Sequence, residues 1–385
     1  MNEQNKKVPT VRFKGFTNDW EQHKLGEVVS VFDGTHQTPN YKTKGIMFLS
    51  VENINTLLSN KYISENEYRQ RFKIKPQYLD VFMTRIGTIG KTNVITTHKP
   101  IAYYVSLALL RPQNIQSFFL SFIIQTSKVQ QDIWKRTLQI AFPQKINKDE
   151  IGKVTLALPL QKEQIDIEKL LLKLDKLITL QQRKLDLLKQ FKKGLLQKIF
   201  TKENTFYPTL RFQNFNLDWK QYKLSDLVKI DTGKLDANAM VSNGKYDFYT
   251  SGIKKYKINN YAFKGPAITI AGNGATVGYM HYADNKFNAY QRTYVLTDLK
   301  ADRRFLFNSI QLILPHKIYQ ESRTGNIPYI VLSMLTDLLI MVPSNKEQTF
   351  IGNLAGTISD IYNKQLKKLN LTNQLKKSLL QQMFI

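Results

Sequence analysis

The apolar residues of this chain follow two patterns that alternate along its length. Residues 20–158 and 219–342 contain short apolar, β-branched and aromatic runs separated by Gly, Asn and Pro, as in residues 44–51 and 266–271. Runs of this kind predict short strands joined by turns, with a few helices between them. Both segments are therefore expected to be globular α+β domains.

Residues 161–204 and 345–385 lack proline and are rich in Leu, Lys and Gln, which predicts two long helices. Their apolar residues recur at alternating intervals of four and three, the heptad spacing of a coiled coil. At 1.5 Å per residue each helix is about 55 Å long, which exceeds the face of one small domain. We expect the helices to pair with each other; a helix that lies along its own domain is the alternative.

The seam of this pairing is predicted from the heptad positions. Gln181 and Gln365 lie near the middles of the two helices and are expected to meet there. The residues expected to pair are Ile167, Leu171, Leu174, Ile178, Gln181, Leu185 and Leu188 in the first helix, and Ile358, Tyr362, Gln365 and Leu369 in the second.

The two patterns belong to an internal repeat. Residues 9–34 match residues 208–233, with 12 of 26 positions identical. A second repeated stretch begins at Pro159 and Pro343 and continues without a gap through both predicted helices. We call residues 9–25 and 208–224 the first framework motif, and residues 159–167 and 343–351 the second. Between the motifs the halves differ, apart from short echoes such as the Gly turns at 87–90 and 274–278.

This repeat predicts four segments and a pseudo-twofold relation between the halves, provided that the helices run antiparallel. The predicted segments are a first domain (1–158), a central helical spacer (159–204), a second domain (205–342) and a C-terminal helical spacer (343–385).

Charge and composition narrow the class of partner. Lys and Arg number 56 against 30 Asp and Glu, a net charge of +26, and each of the four segments carries an excess of positive charge. This distribution suits a long nucleic-acid duplex. The longest apolar runs fall well short of the ~20 residues that span a bilayer, and the polar start is unlike a signal peptide. The absence of cysteine suits a reducing cytoplasm.

The framework motifs resemble the specificity subunits of type I restriction-modification systems, and the resemblance covers nearly the whole chain. The matching residues are Arg12, Phe13, Phe16, Asp19, Trp20, Pro159, Glu163, Gln164 and Ile167, and again Arg211, Phe212, Phe215, Asp218, Trp219, Pro343, Glu347, Gln348 and Ile351.

The resemblance implies two target recognition domains joined by antiparallel helical spacers. It also implies a complex with two modification (methyltransferase) subunits, which methylate adenine, and with restriction (endonuclease and translocase) subunits. S-adenosylmethionine, ATP and magnesium are then expected on those partner subunits, and no cofactor on this chain. The chain itself would be non-catalytic.

The expected target is double-stranded DNA with a bipartite, asymmetric site. Antiparallel helices of about 55 Å hold two domains more than one DNA turn of about 34 Å apart, in opposite orientations. Each domain then recognises one half-site, and the DNA between the half-sites is not read. Because the residues between the framework motifs differ, the two half-sites are expected to differ.

Enzyme motifs are incomplete in this sequence. Residues 87–92 end like a phosphate-binding loop but lack the four residues required between its glycines. The N-P-P-[FY] stretch typical of adenine methyltransferases is absent, and the five histidines do not have metal-site spacing. No catalytic or metal-binding residue is predicted. A self-contained DNA methyltransferase or nuclease, and a non-catalytic coiled-coil scaffold for DNA or RNA, remain as alternatives.

Candidate DNA-contacting residues lie in the Gly-containing turns and just before the spacer helices. Their hydroxyl, amide, imidazole and cationic groups suit base edges and phosphates. Trp20 and Trp219 are instead predicted to pack in the cores, because two domains that read different sequences would not keep one base contact. The candidates are Thr35, His36, Gln37, Arg85, Thr88, Lys91, Arg136, Gln139 and Lys145 in the first half, and Lys234, Asn273, Thr276, Arg292, Arg323 and Asn326 in the second.

Overall fold

A computed structural model describes residues 8–201, 205–321 and 328–385. These residues form two compact units. Unit 1 contains the chain up to Gln181 together with Lys368–Ile385, and unit 2 is Gln182–Lys367. The boundary between the units therefore falls inside both long helices. Each unit combines one α+β module with the first half of one helix and the second half of the other.

The module of unit 1 is α+β, as the apolar runs predicted. Its elements are β1 (Glu21–Lys24), α1 (Leu25–Val28), β2 (Val29–Asp33), β3 (Ile46–Leu49), β4 (Tyr62–Ile63), α2 (Glu65–Arg71), β5 (Val81–Thr84), β6 (Thr92–Val94), β7 (Ile101–Tyr103), β8 (Leu107–Pro112), α3 (Ser117–Ile124), α4 (Ser127–Lys135), α5 (Lys148–Gly152) and β9 (Thr155–Leu158), followed by the long helix α6 (Gln161–Ile199).

The module of unit 2 follows a similar order but has no helix that corresponds to α2. Its elements are β10 (Lys220–Lys223), α7 (Leu224–Leu227), β11 (Lys229–Thr232), β12 (Tyr246–Tyr249), β13 (Tyr256–Ile258), β14 (Phe263–Lys264), β15 (Ala267–Ala271), β16 (Met280–Ala283), β17 (Lys286–Ala289), β18 (Thr293–Thr297), α8 (Arg303–Glu321), α9 (Leu332–Thr336) and β19 (Leu339–Val342), followed by the long helix α10 (Asn345–Gln382).

The sheets of the two modules correspond, although the smaller sheet of unit 2 has a fourth strand, β14. A four-stranded antiparallel sheet has the order β2-β8-β5-β6 in unit 1 and β11-β18-β15-β16 in unit 2. A smaller sheet, β4-β3-β7 or β13-β12-β17-β14, contains one parallel pair in each unit. The central strands β5 and β15 are buried along their whole length, which explains why their sequences are apolar apart from one threonine in each.

A third pairing closes each module. The first framework motif forms β1 and β10, and these strands pair antiparallel with β9 and β19, which directly precede the long helices. Glu21 thus lies opposite Leu158, and Lys220 opposite Val342. The two framework motifs are brought together at the point where each module joins its helix.

The heptad positions of α6 and α10 are the covered ones. Ile167, Leu171, Leu185, Ile358 and Leu369 are buried. Leu174 and Gln181 are buried too, and Ile178, Leu188, Tyr362 and Gln365 are partly buried. Several large apolar residues between heptad positions are exposed instead, namely Leu177, Leu180, Leu187, Ile361, Leu366, Leu371 and Leu375. The predicted seam positions are thus buried or partly buried, and which residues pair across the two helices stays a prediction.

The helix segments run antiparallel within each unit. In unit 1, Lys376 of α10 contacts Asp175 of α6, while Phe119 lies beside both Glu168 and Phe384. An earlier residue of α6 therefore lies beside a later residue of the α10 segment, which is the arrangement of antiparallel helices. In unit 2, Lys192 donates a hydrogen bond to the hydroxyl of Ser359 at 2.8 Å, between the same two helices.

Both sequence-based alternatives for the helices hold in part. Ile167 and Leu171 join the core of the first module, so the beginning of α6 lies on its own module. Leu196 and Phe200, near its end, join the core of the second module. Gln181 is buried, yet neither atom of its amide has a hydrogen-bond partner among the described residues. No hydrogen bond supports the expected Gln181–Gln365 pair, and their proximity stays a prediction.

A close backbone approach fixes one glycine in each module. A Cβ at Gly34 would lie 2.5 Å from the carbonyl oxygen of Tyr103, and one at Gly233 would collide with the carbonyl of Ala289. These glycines are repeat equivalents. The turn after β2 lies against the end of β7 in unit 1, and the turn after β11 lies against the end of the equivalent strand, β17, in unit 2.

We expect Gly34→Ala to lower the free energy of unfolding of unit 1 by about 1–3 kcal/mol, because backbone must move to admit the methyl group. Gly194→Ala on α6 is the matched control, because nothing lies within 4 Å of the position that the alanine Cβ would take. There we expect a gain of about 0.5–1 kcal/mol from helix propensity. Denaturant unfolding checks both. Equal stability of Gly34→Ala and wild type would contradict the close approach.

Candidate nucleic-acid interface

The framework motifs form a structural joint. Arg12 donates from Nε and Nη2 to the two carboxylate oxygens of Glu163 at 2.7 and 2.8 Å. Arg211 makes the same bidentate pair with Glu347 at 2.9 and 2.8 Å. The hydrogen bond to the carboxylate is the main cause of a raised pKa of both arginines. Each pair ties the first framework motif to the first turn of a long helix.

The glutamine of the second framework motif continues this joint. The Gln164 amide nitrogen donates to the carbonyl of Pro159 at 3.0 Å, and its oxygen accepts from the backbone of Gln116 at 3.1 Å. Gln348 makes the equivalent bonds to Pro343 at 2.9 Å and from Asp302 at 2.8 Å. These polar residues therefore position the start of each long helix.

The motif tryptophans are buried, as predicted. Trp20 packs against Phe119 and Phe384, with ring centroids 6.2 and 6.1 Å away. Trp219 packs against Phe305 at 5.7 Å and Phe200 at 6.4 Å. Phe384 and Phe200 lie just beyond the ends of α10 and α6, so within each unit one of the two rings follows the helix that began in the other half. The sequence contained this signal, because Phe200 and Phe384 are repeat equivalents.

The turn after β2 presents the first group of predicted DNA contacts. Gly34 lies against Tyr103, and the backbone of Thr35 donates to the carbonyl of Tyr103 at 3.1 Å. The Thr35 hydroxyl accepts a bond from the Gln37 backbone at 3.3 Å. His36 and Gln37 are exposed. The turn is therefore fixed at its base and offers an imidazole and an amide to solvent.

The β5–β6 turn presents the second group. Thr84 and Lys91 close it with a backbone bond of 2.8 Å, and Gly90 donates to Thr84 at 2.9 Å. Thr88 and Lys91 are exposed on it. The β15–β16 turn of unit 2 is closed by the equivalent bonds, from Ala271 to Tyr279 and from Gly278 to Ala271, each 2.8 Å long. The correspondence of the Gly turns is thus confirmed.

Arg85 does not lie on the surface of this turn. It is 6% exposed, its Nη1 is paired with Asp33, and its Nε donates to the carbonyl of Ile146 at 3.1 Å. A buried guanidinium is tolerated because it is paired and hydrogen-bonded. The prediction that Arg85 reads a base is corrected: Arg85 joins the end of β2 to the end of β5 and so holds the two predicted recognition turns together.

Two candidates of unit 2 are likewise committed to internal bonds. The Asn273 side-chain oxygen accepts from the Ser251 hydroxyl at 2.7 Å, and the Thr276 hydroxyl donates to the carbonyl of Ser251. Both residues are partly buried. They shape the β15–β16 turn. Lys234 and Arg292 are exposed. The backbone of Gly272 donates to the carbonyl of Arg292 at 2.8 Å, so Arg292 lies beside this turn.

The candidate DNA-contacting residues before the spacer helices differ in their surroundings. Arg136 pairs with Asp132 at 3.0 Å and Glu150 at 3.5 Å, so its charge is neutralised locally. Gln139 and Lys145 are exposed. The remaining candidates, Arg323 and Asn326, lie outside the described residues.

Two surface features were missed by sequence reasoning. The first is the exposed loop of residues 139–144, here called the apolar tip, which carries Ile140 and Phe142. The second is the small sheet of unit 2, where Lys286 lies 4.4 Å from the ring centroid of Tyr261 and Lys254 lies 5.3 Å from that of Tyr256. The alternation of Lys and Tyr in residues 254–264 was a usable signal, because cationic and aromatic groups together suit nucleic acid.

Other features of the described residues bear on chemistry. Burial lowers the pKa of His281, whose Nε2 lies 3.3 Å from the carbonyl oxygen of Gly252, so this ring is a neutral packing residue near pH 7. Burial raises the pKa of its neighbour Tyr249 to about 12. No cluster of three or more His, Cys, Asp or Glu suited to a metal occurs in the described ranges. No helix found there has the length and apolar character to cross a membrane.

Comparisons with known proteins place both modules in one family. The family model for the type I restriction modification DNA specificity domain matches residues 17–190 and again residues 216–377. The two matches correspond to the two halves of the internal repeat.

Among curated proteins, the chain is 39% identical over 142 residues to the type I restriction enzyme EcoDI specificity subunit of Escherichia coli. That match covers 37% of this chain and 31% of the E. coli protein. It is 24% identical over 272 residues to the type I restriction enzyme MjaVIII specificity subunit of Methanocaldococcus jannaschii, covering 61% of this chain and 62% of that protein. The matched regions thus span less than two thirds of either relative.

Among solved structures, the S subunit of a type I restriction-modification system from M. genitalium superposes with a TM-score of 0.69. The identity is 14%, and 98% of this chain and 99% of that chain are covered. A chain from a structure concerned with complex assembly and conformational transition of the type I R-M system gives 0.56 at 12% identity, covering 94% and 96% of the two chains. At these identities the likeness establishes the fold.

Proposed function

Because the chain belongs to the type I restriction modification DNA specificity family, we propose that it recognises DNA sequence for a type I restriction-modification complex and performs no catalysis itself. The observation that carries this proposal is the pair of modules with identical joints and different exposed turns. Arg12 and Arg211 make the same ion pair, whereas His36 and Gln37 of one turn have no counterpart beside Lys234.

The target in this proposal is a bipartite, asymmetric site in double-stranded DNA, with an unread spacer. Each module contacts one half-site through its own turns. The net charge of +26 supports a duplex partner, because phosphate contacts made by Lys and Arg supply most of the affinity of such complexes. Different turn residues in the two modules support different half-sites.

Catalysis in this proposal belongs to partner subunits: two modification subunits that methylate adenine, and restriction subunits that translocate and cut. S-adenosylmethionine, ATP and magnesium bind to those partners, and no cofactor binds to this chain. The complex acts in the cytoplasm, which suits a chain without cysteine. The exposed apolar residues of the long helices, such as Leu180 and Leu371, are surfaces that modification subunits could cover.

The test replaces the segment between the framework motifs of one module. Replacing residues 26–150 with the matching segment of a relative of different specificity, and mapping methylation in a genome that carries the modification subunit, should change one half-site and keep the other. The reciprocal exchange of residues 225–338 should change only the second. Altered sequence at both half-sites after either exchange would mean that the modules do not read DNA independently.

A further inference from the structure

The apolar tip presents two large hydrophobic side chains entirely to solvent. Ile140 and Phe142 have 103% and 104% of their reference exposure. Burial of each such side chain stabilises a folded protein by about 1.5–3 kcal/mol, and this stabilisation is absent while the side chain stays in water. Isolated exposed apolar residues are common, but two on one six-residue loop indicate a surface that a partner covers.

The tip is anchored at both ends. The backbone of Leu138 donates to the carbonyl of Lys145 at 2.8 Å, and Gly87 donates to Gln144 at 2.8 Å. Ile146 donates to Arg85 at 3.0 Å directly after the loop. These bonds attach the tip to the β5–β6 turn, beside the exposed Thr88 and Lys91. The geometry of the tip is thus set before any partner arrives, which lowers the entropic cost of binding.

The surroundings of the tip are cationic. Residues 137–147 and 86–101 contain no Asp or Glu, while Lys91 and Lys145 are exposed at the base of the loop. Two acids of the same module are engaged in ion pairs: Asp33 with Arg85, and Asp132 with Arg136. We call Lys91 and Lys145 the basic rim of the tip. Apolar side chains surrounded by cations suit a polyanion that also has flat apolar surfaces, and a DNA duplex has both, in its phosphates and its bases.

A shallow cleft extends this surface along one flank. It has a volume of about 400 Å³ and is lined in part by Gly87, Gln144 and Thr137, next to Trp134. The Trp134 side chain is 59% exposed. Exposed apolar surface therefore continues from the tip toward α4.

We propose that the apolar tip enters a groove of the first half-site and that Ile140 and Phe142 contact the bases there. The proposal rests on the proposed function and names two specificity-determining residues within it. Apolar side chains read DNA by covering the thymine methyl group in the major groove, or by inserting between base steps in the minor groove. A protein partner of the tip is the competing occupant, and the basic rim argues against it.

The experiment uses the full chain in complex with the modification subunit. Ile140→Ser combined with Phe142→Ser should lower the affinity for a cognate duplex about tenfold or more, the usual size of one lost base contact or greater. Discrimination against single base changes should fall in the first half-site and be unaltered in the second. Phe142→Leu, which keeps an apolar side chain, should retain most of the affinity.

Leu160→Ser is the matched control. Leu160 is 58% exposed, and its repeat equivalent is Ser344, so the second half already tolerates this residue. It should leave affinity and discrimination unchanged. Both tip side chains are fully exposed, so the double variant should unfold within about 0.5 kcal/mol of wild type, and the single variant Phe142→Ser provides a second, milder substitution.

The outcomes separate this proposal from the proposed function. Full discrimination by the double variant at both half-sites overturns the role of the tip, while sequence-specific methylation by the wild type preserves the proposed function. Methylation without sequence preference by the wild type overturns the proposed function instead. Weaker binding of the modification subunit at unchanged DNA discrimination assigns the tip to a protein contact and also overturns the proposal.

Discussion

A chain of residues 1–204, produced with modification subunits, is expected to form a homodimer and to direct methylation to an interrupted palindrome. The palindrome should consist of the first half-site and its inverted copy. In unit 1, α6 packs against the last turns of α10, from Lys368 to Ile385. Those turns are missing from the short chain. The equivalent segment of a second copy, residues 184–201, can take their place about an exact twofold axis.

The replacement retains most of the residues that contact unit 1. Leu185, Leu196 and Phe200 are identical to their equivalents Leu369, Leu380 and Phe384, and Lys192 replaces Lys376 opposite Asp175. The main changes are Thr372 to Leu188, Met383 to Ile199 and Ile385 to Thr201. The larger Leu188 carries a risk of overpacking of about 1–3 kcal/mol, offset by the added apolar burial.

Sizing and methylation mapping decide this prediction. Phe200→Ala in the short chain is the matched variant, because the partner's Phe200 would pack on Trp20 as Phe384 does in the complete chain. A Phe-to-Ala change in a core costs about 3–5 kcal/mol, so this variant should shift the short chain toward monomer. A folded monomer before substitution, or a dimer that still methylates the parent asymmetric site, would defeat the prediction.

Removal of one arginine from a joint is expected to give a large loss of stability in the complete chain. Arg12→Ala leaves the carboxylate of Glu163, which is 1% exposed, without its partner. Breaking a buried ion pair in this way costs about 3–5 kcal/mol, and since Arg12 is itself 13% exposed we expect about 3 kcal/mol. Arg211→Ala should have the same effect on unit 2, because Glu347 is equally buried.

Hydrogen exchange locates each effect, since a chain with two units need not unfold in one step. Arg12→Ala should lower protection in the first module and at the start of α6, and Arg211→Ala in the second module. The double variant Arg12→Leu with Glu163→Leu is the control: it removes both charges and should lose less stability than Arg12→Ala alone. A loss below about 1 kcal/mol for Arg12→Ala would show that the joint is not stabilised by this pair.

Three of the residues predicted to contact DNA show what the sequence alone could not reveal. Arg85, Asn273 and Thr276 were chosen because their side chains suit base edges, yet the structure places them in internal ion pairs or hydrogen bonds. Residue type states what a side chain can bind; it does not state which partner is near. Asp33 and Ser251 are 52 and 22 residues away from their partners in the chain. Such contacts depend on how strands assemble.

The sequence by itself determined the internal repeat, the α+β modules, the two long helices and the heptad positions that are covered. Each of these follows from a local period or a direct match between segments, and a period of 3.5 or 2 residues is set by backbone geometry. Only the tertiary structure decided that the helices exchange their ends between cores, that Arg85 is buried and that Ile140 and Phe142 are fully exposed. These depend on packing between distant residues, where burial is shared among many partners and no local pattern records it.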